Sequence, residues 1–486
     1  MKATKGVYEL MKKLTILQMN DLHGYLDLHN EVYYDDNGIL LAKAGGLPRI
    51  RTLVEEIRKE NGELLFLDNG DTFHGTYEVV ESEGSVLVPV LNNLSLDAMT
   101  FHWDIAYGPK VLKKREKDLN YPILAINVYH KETKKLYMDP YLIKEVAGIK
   151  VAVIGIACNI IDKTMPKHFS EGLYFTNGLE ELPGYIEEVK EKGAEVVVLL
   201  SHLGFPQDME LLSKVSGVDV CISGHTHNRV YEAIKVNDTY LIQSGSHGSF
   251  LGKLELTLEE GKVKEVNHEL LDVSEDLLEH EETKTMIEKI MEPHRAYLDE
   301  IVGQTDVILH RGTSLECSMD NLLLSALLKE TGAEMAFSNG WRYGAPVDIG
   351  PVTMRDLHNI IPVNPPVSTA DITGKELHEM LEENLDKTYS REPLEQMGGY
   401  VKRALGIRVY FKVENPFGQR IQEIFVGDEK LDPERVYNAC YVTNQGIPEK
   451  YGSNHEKHSA KAIDTLVHYL KEETFDLDEN DTYILI

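Results

Sequence analysis

Four apolar stretches of this chain each end in a short run of histidine and aspartate, and this pattern restricts the fold more than any other feature. Leu14 to Met19 leads into Asn20-Asp21-Leu22-His23, and Glu63 to Leu67 into Asp68-Asn69-Gly70-Asp71. Ala194 to Leu200 leads into Ser201-His202, and Asp219 to Ile222 into Ser223-Gly224-His225-Thr226-His227. Near-continuous Val, Ile and Leu bounded by polar turns read as strands buried on both faces. Asp21 and His23 are two apart, as are His225 and His227, so strand alternation lets both members of each pair point the same way. Imidazoles and carboxylates gathered at successive strand ends suit two divalent ions (Mn, Zn, Fe or Co), and a thiolate-free set fits a hydrolytic site. Two such ions about 3.5–4 Å apart activate a water and stabilise an in-line displacement, so no serine or cysteine nucleophile is required. The chain carries no Gly-x-x-x-x-Gly-Lys-Ser/Thr, no Gly-x-Gly-x-x-Gly and no His-Glu-x-x-His.

Charge and size narrow the class further. Eighty acidic against 50 basic residues leave a formal net charge of −30, which argues against nucleic acid or an anionic membrane as partner. Cys158, Cys221, Cys317 and Cys440 are widely spaced, so neither a thiolate zinc site nor a disulfide framework is expected; Cys158 and Cys221 read as buried thiols. The first residues carry Lys2, Lys5, Lys12 and Lys13 without an apolar core of signal-peptide length, and no stretch approaches a membrane span. A cytoplasmic protein is the default expectation, although a chain whose leader had been removed would read the same. No protein partner is indicated.

At 486 residues the chain exceeds one core. Strands alternate with helices over residues 12–272, beginning with a helix that opens at Ala44-Gly45-Gly46-Leu47 and runs to about Lys59. Further strands are expected at Ile149 to Ala157, Tyr240 to Gln243 and Lys253 to Leu256. This predicts an α/β domain of layered sheets flanked by helices. Residues 273–299 contain a charged, glycine-free stretch, Glu275 to Tyr297, read as a linker helix. From 300 to 486 the pattern restarts as an α+β domain: helices at Met319 to Thr331 and Thr373 to Leu385, the latter with Thr373 or Asp371 near its cap, and strands at Glu334 to Phe337, Gly406 to Val413 and Tyr437 to Thr443. Tyr33 to Gly38 reads as a polar loop.

With these motifs the chain resembles the 5′-nucleotidase / UDP-sugar hydrolase family of calcineurin-like metallophosphoesterases, over nearly its whole length. The N-terminal likeness rests on Asn20-Asp21-Leu22-His23-Gly24, Ala44-Gly45-Gly46-Leu47, Asp68-Asn69-Gly70-Asp71-Thr72, Asp97-Ala98-Met99-Thr100, Ser201-His202-Leu203-Gly204 and Gly224-His225-Thr226-His227. The resemblance implies that one metal takes Asp21, His23, Asp71 and His227, and the other Asp71, His202, His225 and one further ligand. It also implies a small phosphorylated substrate such as a nucleotide. In the C-terminal half the likeness rests on Met319-Asp320-Asn321-Leu322, Ser338-Asn339-Gly340-Trp341-Arg342, Gly350-Pro351-Val352-Thr353, Ile372-Thr373-Gly374 and Gly406-Ile407-Arg408. By that likeness Arg342 meets the substrate phosphate and Asn339 the base, with Arg311 and Arg408 as further substrate-binding candidates.

The chain departs from the family where the last ligand belongs. The family has Gly-Asn-His-Glu after Asp-Ala-Met-Thr; here Phe101-His102-Trp103-Asp104 follows. One alignment makes His102 the fourth ligand of the second metal and puts Trp103 in place of the catalytic histidine. The other makes His102 the catalytic acid with Asp104 as its orienting partner. A packed His-Trp pair without a role is the third reading. The aromatic base clamp is altered too: Pro362-Val363-Asn364 lacks the stacking ring, and Tyr451-Gly452-Ser453-Asn454 stands where its partner motif would be. Trp341, Tyr343, Tyr400 or Tyr451 could compensate. His102-Trp103, Leu309-His310-Arg311-Gly312, Trp341-Arg342-Tyr343-Gly344 and Gln396-Met397-Gly398-Gly399-Tyr400 with Arg403 look like the thiosulfohydrolase branch, whose members cleave a sulfonate on a carrier protein outside the cytoplasm.

Overall fold

The computed structural model describes residues 11–36, 38–398, 400–477 and 481–486; Lys2, Lys5 and Gly399 lie outside them. Two sheets face each other in the N-terminal half. The first has the strand order Lys262–Asp272, Phe250–Glu259, Lys12–Met19, Leu64–Asp68, Ala98–Met99. The second runs Ile234–Val236, Thr239–Ile242, Val220–Ser223, Val196–Ser201, Ile149–Ile156, Tyr141–Val146. Leu14, Ile16, Leu65 and Leu67 of one sheet pack against Val151, Val198, Val220 and Ile222 of the other, all fully buried. Helices cover the outer faces, so these strands are apolar on both sides, as their sequences require. Lys12–Met19 pairs in parallel with Leu64–Asp68, and Val196–Ser201 with Val220–Ser223. The polar runs that follow these four strands therefore emerge at one edge of the sandwich.

The C-terminal half holds a five-stranded sheet, Arg403–Leu405, Met335–Ser338, Val436–Val442, Pro366–Thr373, Ser453–Lys461, and a four-stranded one built on Ile407–Phe411 and Ile421–Val426. Thr373 caps the helix Gly374–Thr388: its hydroxyl accepts from Glu376 N at 3.2 Å while Glu376 Oε2 accepts from Thr373 N at 2.9 Å. Of the two cap candidates, Thr373 is the one used.

Two expectations need correction. Tyr33 to Gly38, of which Asn37 lies outside the described residues, is not a polar loop, since His29–Asp35 and Gly38–Ala44 form an antiparallel hairpin that pairs Asp35 with Gly38. Polar Asp35 and Asp36 mask a β-prone run whose rings pack elsewhere: Tyr33 meets Phe250 at 6.0 Å, and Arg229 lies over Tyr33. The hairpin also touches the C-terminal domain, through Asn30 Nδ2 to Pro346 O and Tyr34 Oη to Gly312 O. Nor is 275–297 one free linker helix. It forms Glu281–Met291 and Arg295–Leu298, separated around Pro293, and Ile287, Met291 and Leu298 are buried in the N-terminal core. All four cysteines are free and buried. Among the described residues no helix is long and apolar enough to cross a membrane.

Candidate metal centre

The strand ends place their side chains by turning sharply. Asp21 (φ 51°), His23 (φ 49°), Asp71 (φ 55°), His225 (φ 72°) and His227 (φ 55°) all sit in the left-handed region. Each such residue costs on the order of 1 kcal/mol, so the surrounding structure must hold it. Backbone bonds from Asp21 N to Gly70 O (3.0 Å) and His23 N to Asp71 O (2.7 Å) tie the first two turns together. Gly75 is needed beside them, because a Cβ there would lie 2.3 Å from His23 O. Asn69 joins the two sheets: its Nδ2 donates to Ser201 O and Ile222 O, and its Oδ1 accepts from Gln18.

Two buried donor sets result, each with ligand atoms within 4.8 Å of one another: Asp21, His23, Asp71, His227 and Asp71, His102, His202, His225. Asp71 belongs to both. Its Oδ2 lies 3.5 Å from His23 Nε2 and 3.3 Å from His202 Nε2, and its Oδ1 lies 3.2 Å from His102 Nδ1. Nδ1 of His23 faces His74 O at 3.2 Å and Nδ1 of His202 faces Asn69 O at 2.6 Å. A carbonyl behind Nδ1 holds the proton there and leaves Nε2 as a lone pair, the usual backing of a metal-bound imidazole. His23 Nε2 and His227 Nε2 are 3.3 Å apart, with the His23 lone pair turned towards the other ring. His202 Nε2 and His225 Nδ1 are buried without a hydrogen-bond partner. Five imidazoles and two carboxylates, one of them shared, fit two divalent cations at these bare nitrogens.

Without an ion, a proton takes its place at one of these nitrogens. Burial holds His23 down to about 4. Burial also disfavours a charged His202, but Asp71 and Asp21 outweigh it and push His202 up to about 9. Burial opposes the Asp71 carboxylate, and His102 and His202 overcome it, holding Asp71 well below the usual range. His202 therefore carries a proton near neutral pH that a cation must expel. The apparent affinity for Zn(II) or Mn(II) is expected to climb as pH rises towards about 9, by about tenfold per pH unit for each proton displaced. Calorimetry in buffers of different ionisation enthalpy reads that proton release; a pH-independent affinity below that point would contradict it.

The structure brings His102 into the second donor set. Asp104 has a different place from the orienting role considered for it. Its two oxygens accept the backbone N–H groups of Asp71 (2.9 Å), Thr72 (2.8 Å), Phe73 (2.8 Å) and His102 (3.1 Å). It is a buried clamp on the loop that carries the shared carboxylate. Asp104→Asn puts an amide NH₂ against those donors and is expected to lower unfolding free energy by about 2–4 kcal/mol, read by urea titration of the metal-free protein. An unchanged midpoint would show that these N–H groups have other acceptors.

The substrate-side residues divide. Arg342 and Asn339 line the small cavity that also exposes His23, Asp71, His102, His225 and His227, together with Trp103, Trp341 and Tyr343. Arg342 Nη1 donates to His225 O at 3.1 Å, and its guanidinium lies 4.1 Å over the Tyr400 ring. Arg311 is buried, with its donors spent on Asp320, Tyr343 O and Ile360 O, so it holds the C-terminal wall together rather than meeting a ligand. Arg408 pairs with Asp428 on the surface, away from these cavities. Tyr451 donates to Glu383 instead of compensating for the missing base clamp. A third group, His29, Glu31 and His247, escaped the sequence reading; Gly245-Ser246-His247-Gly248 after the strand Thr239–Ile242 carries the same strand-end signal as the others.

This fold and donor arrangement define a metal-dependent phosphoesterase with a second domain closing over the metal edge. The family profile described as 5′-nucleotidase, C-terminal domain matches residues 300–446. The trifunctional nucleotide phosphoesterase protein YfkN of Bacillus subtilis is 27% identical over 461 residues, covering 85% of this chain and 30% of that longer protein. Sulfate thiohydrolase SoxB of Thermus thermophilus superposes with a TM-score of 0.91 (23% identity, 97% and 96% of the two chains). A 5′-nucleotidase precursor, also of Thermus thermophilus, superposes with a TM-score of 0.86 (23% identity, 98% and 99%). Residues 300–446 thus match the 5′-nucleotidase C-terminal family, and the fold is an N-terminal metallophosphoesterase-type sandwich followed by that domain.

Proposed function

We propose that the protein hydrolyses the phosphate ester of a nucleotide or a related small metabolite, using two divalent cations that share Asp71. When bound, such a pair supplies an activated water and neutralises the charge that develops on the phosphoryl oxygens. Asp21, His23 and His227 would hold one ion, and His102, His202 and His225 the other. The observation that carries the reading is Arg342, a guanidinium held by His225 O and Tyr400 at the cavity that also exposes His23, Asp71, His102, His225 and His227. A planar fork there suits a phosphate, which it orients beside the ligand sets. Trp341 and Tyr343, both nearly buried, exclude water from the back of the cavity.

Trp103 faces the same cavity, stacked on His74. An indole cannot act as general acid, so the leaving group needs little protonation or takes its proton from water or another residue. This observation favours a second reading, cleavage of a sulfonate from a carrier with the same metals, because a sulfur leaving group needs no acid. The test is a panel of nucleoside 5′-monophosphates, UDP-sugars, cyclic nucleotides and bis-p-nitrophenyl phosphate under Mn, Zn, Co and Mg, beside an assay for sulfate released from a thiol-bound sulfonate. Phosphate release supports the first reading; sulfate release without phosphate release replaces it with the second.

A further inference from the structure

His29, Glu31 and His247 bring one donor atom each to within 4.8 Å of one another, and none belongs to the two sets that share Asp71. His29 and Glu31 lie on the hairpin strand His29–Asp35, and His247 in the turn after Thr239–Ile242. The ring of His247 is 5.9 Å from that of His29, and also 5.9 Å from those of His23 and His227.

The hydrogen bonds here have the defect that marks the main centre. Nδ1 of His29 faces Asp27 O at 3.0 Å, so the proton sits on Nδ1 and Nε2 is a lone pair. That lone pair points at Ser249 Oγ, 3.1 Å away. Ser249 has one proton, directed at Glu31 Oε2 at 2.6 Å, so Nε2 and Oγ meet lone pair to lone pair. His247 is 4% exposed, neither ring nitrogen has a hydrogen-bond partner, and its Nδ1 is 3.9 Å from Glu31 Oε2. Nε2 of His29 and both ring nitrogens of His247 are thus left without a donor, as Nε2 of His23 is against His227.

The surroundings are shaped for these rings. Gly45 (φ +85°) leaves room for His29, since a Cβ there would lie 2.4 Å from its Cε1. His247 adopts the same left-handed backbone as the ligands (φ 59°), and its N–H donates to Asp21 O at 2.8 Å. Glu31 and His247 line a cleft of about 530 Å³ between the domains, which gives an ion a way in and leaves one coordination position facing solvent. Arg229 donates to Glu31 Oε1 at 2.7 Å, so an ion would share Oε2 with the Ser249 hydroxyl. The Arg229 charge opposes a cation, so this position fills after the other two.

We infer that His29, Glu31 and His247 form a site for a third divalent cation of the zinc class, held by two imidazoles and one carboxylate with a coordination position open to the interdomain cleft. The inference is independent of the substrate and needs the dinuclear centre only as its neighbour. The test strips the full chain with a chelator, titrates it with Zn(II), and measures bound metal by elemental analysis and by zinc-edge anomalous diffraction. Wild type is expected to saturate at three ions per chain with an anomalous peak among His29, Glu31 and His247. His247→Ala and His29→Gln, with unchanged circular dichroism, are each expected to saturate at two. Wild type saturating at two with no such peak, or three ions retained in both variants, overturns the third site and leaves the dinuclear centre standing. Fewer than two ions in wild type would overturn both. The anomalous peak in wild type decides the matter even where a variant fails to fold.

Discussion

Asp71→Asn is expected to lower kcat/KM by about a thousandfold or more, equivalent to about 4 kcal/mol of transition-state stabilisation. Asp71 is the only residue common to both donor sets that share the centre, and its oxygens lie within 3.5 Å of His23, His102 and His202. Asparagine keeps the volume but presents an NH₂ to imidazole lone pairs and removes the one negative charge both cations would share. Wild type and variant should be compared for turnover of the best substrate and for metal bound per chain. Loss of at least one ion is expected together with the loss of rate. A variant with full metal content and full turnover would end the two-metal account.

The second large effect is expected at Arg342. Arg342→Ala should cost about 2–4 kcal/mol in kcat/KM, about 30- to 1000-fold, as for other charge-assisted anion contacts. Arg342→Lys should recover only a small part. The guanidinium is held flat over Tyr400 and bonded to His225 O, and an ammonium can neither stack there nor offer paired donors. Because the arginine meets the anion in both ground and transition states, much of the effect should appear in KM. A threefold or smaller change in the alanine variant would remove Arg342 from the anion site.

The aromatic Trp103 links these two expectations. Its backbone N–H donates to Asp71 Oδ1 at 2.7 Å while its ring forms part of the cavity wall. The position therefore serves the metal loop through its main chain whatever side chain it carries, which leaves the side chain able to set what reaches the ions.

How far each feature could be read from the sequence follows the range of the interaction. The first metal-edge strands and the Thr373 cap depend on neighbours in sequence, and the strands appear within a few residues of their expected bounds. The hairpin at His29–Asp35 and Gly38–Ala44 was missed because its rings find partners about 200 residues away, on Arg229 and Phe250. Arg311 and Arg408 show the same limit in the other direction. An arginine is equally basic wherever it lies in a sequence, and only the fold shows that one is spent on Asp320 and the other on Asp428. Asp104 looked like a partner for an imidazole; the tertiary structure surrounds it with four backbone donors.

By itself the sequence determined the chemistry available: six histidine and aspartate donors at the ends of buried strands, in an order that leaves little but a metal-supported hydrolysis. Their side-chain types and strand positions are local properties. Only the tertiary structure decided that His102 joins Asp71, His202 and His225, that Arg342 faces them, and that His247 lies beside His29 and Glu31. Those juxtapositions depend on how two sheets and two domains pack. Packing sums many weak contacts between residues remote in sequence, which no short motif records.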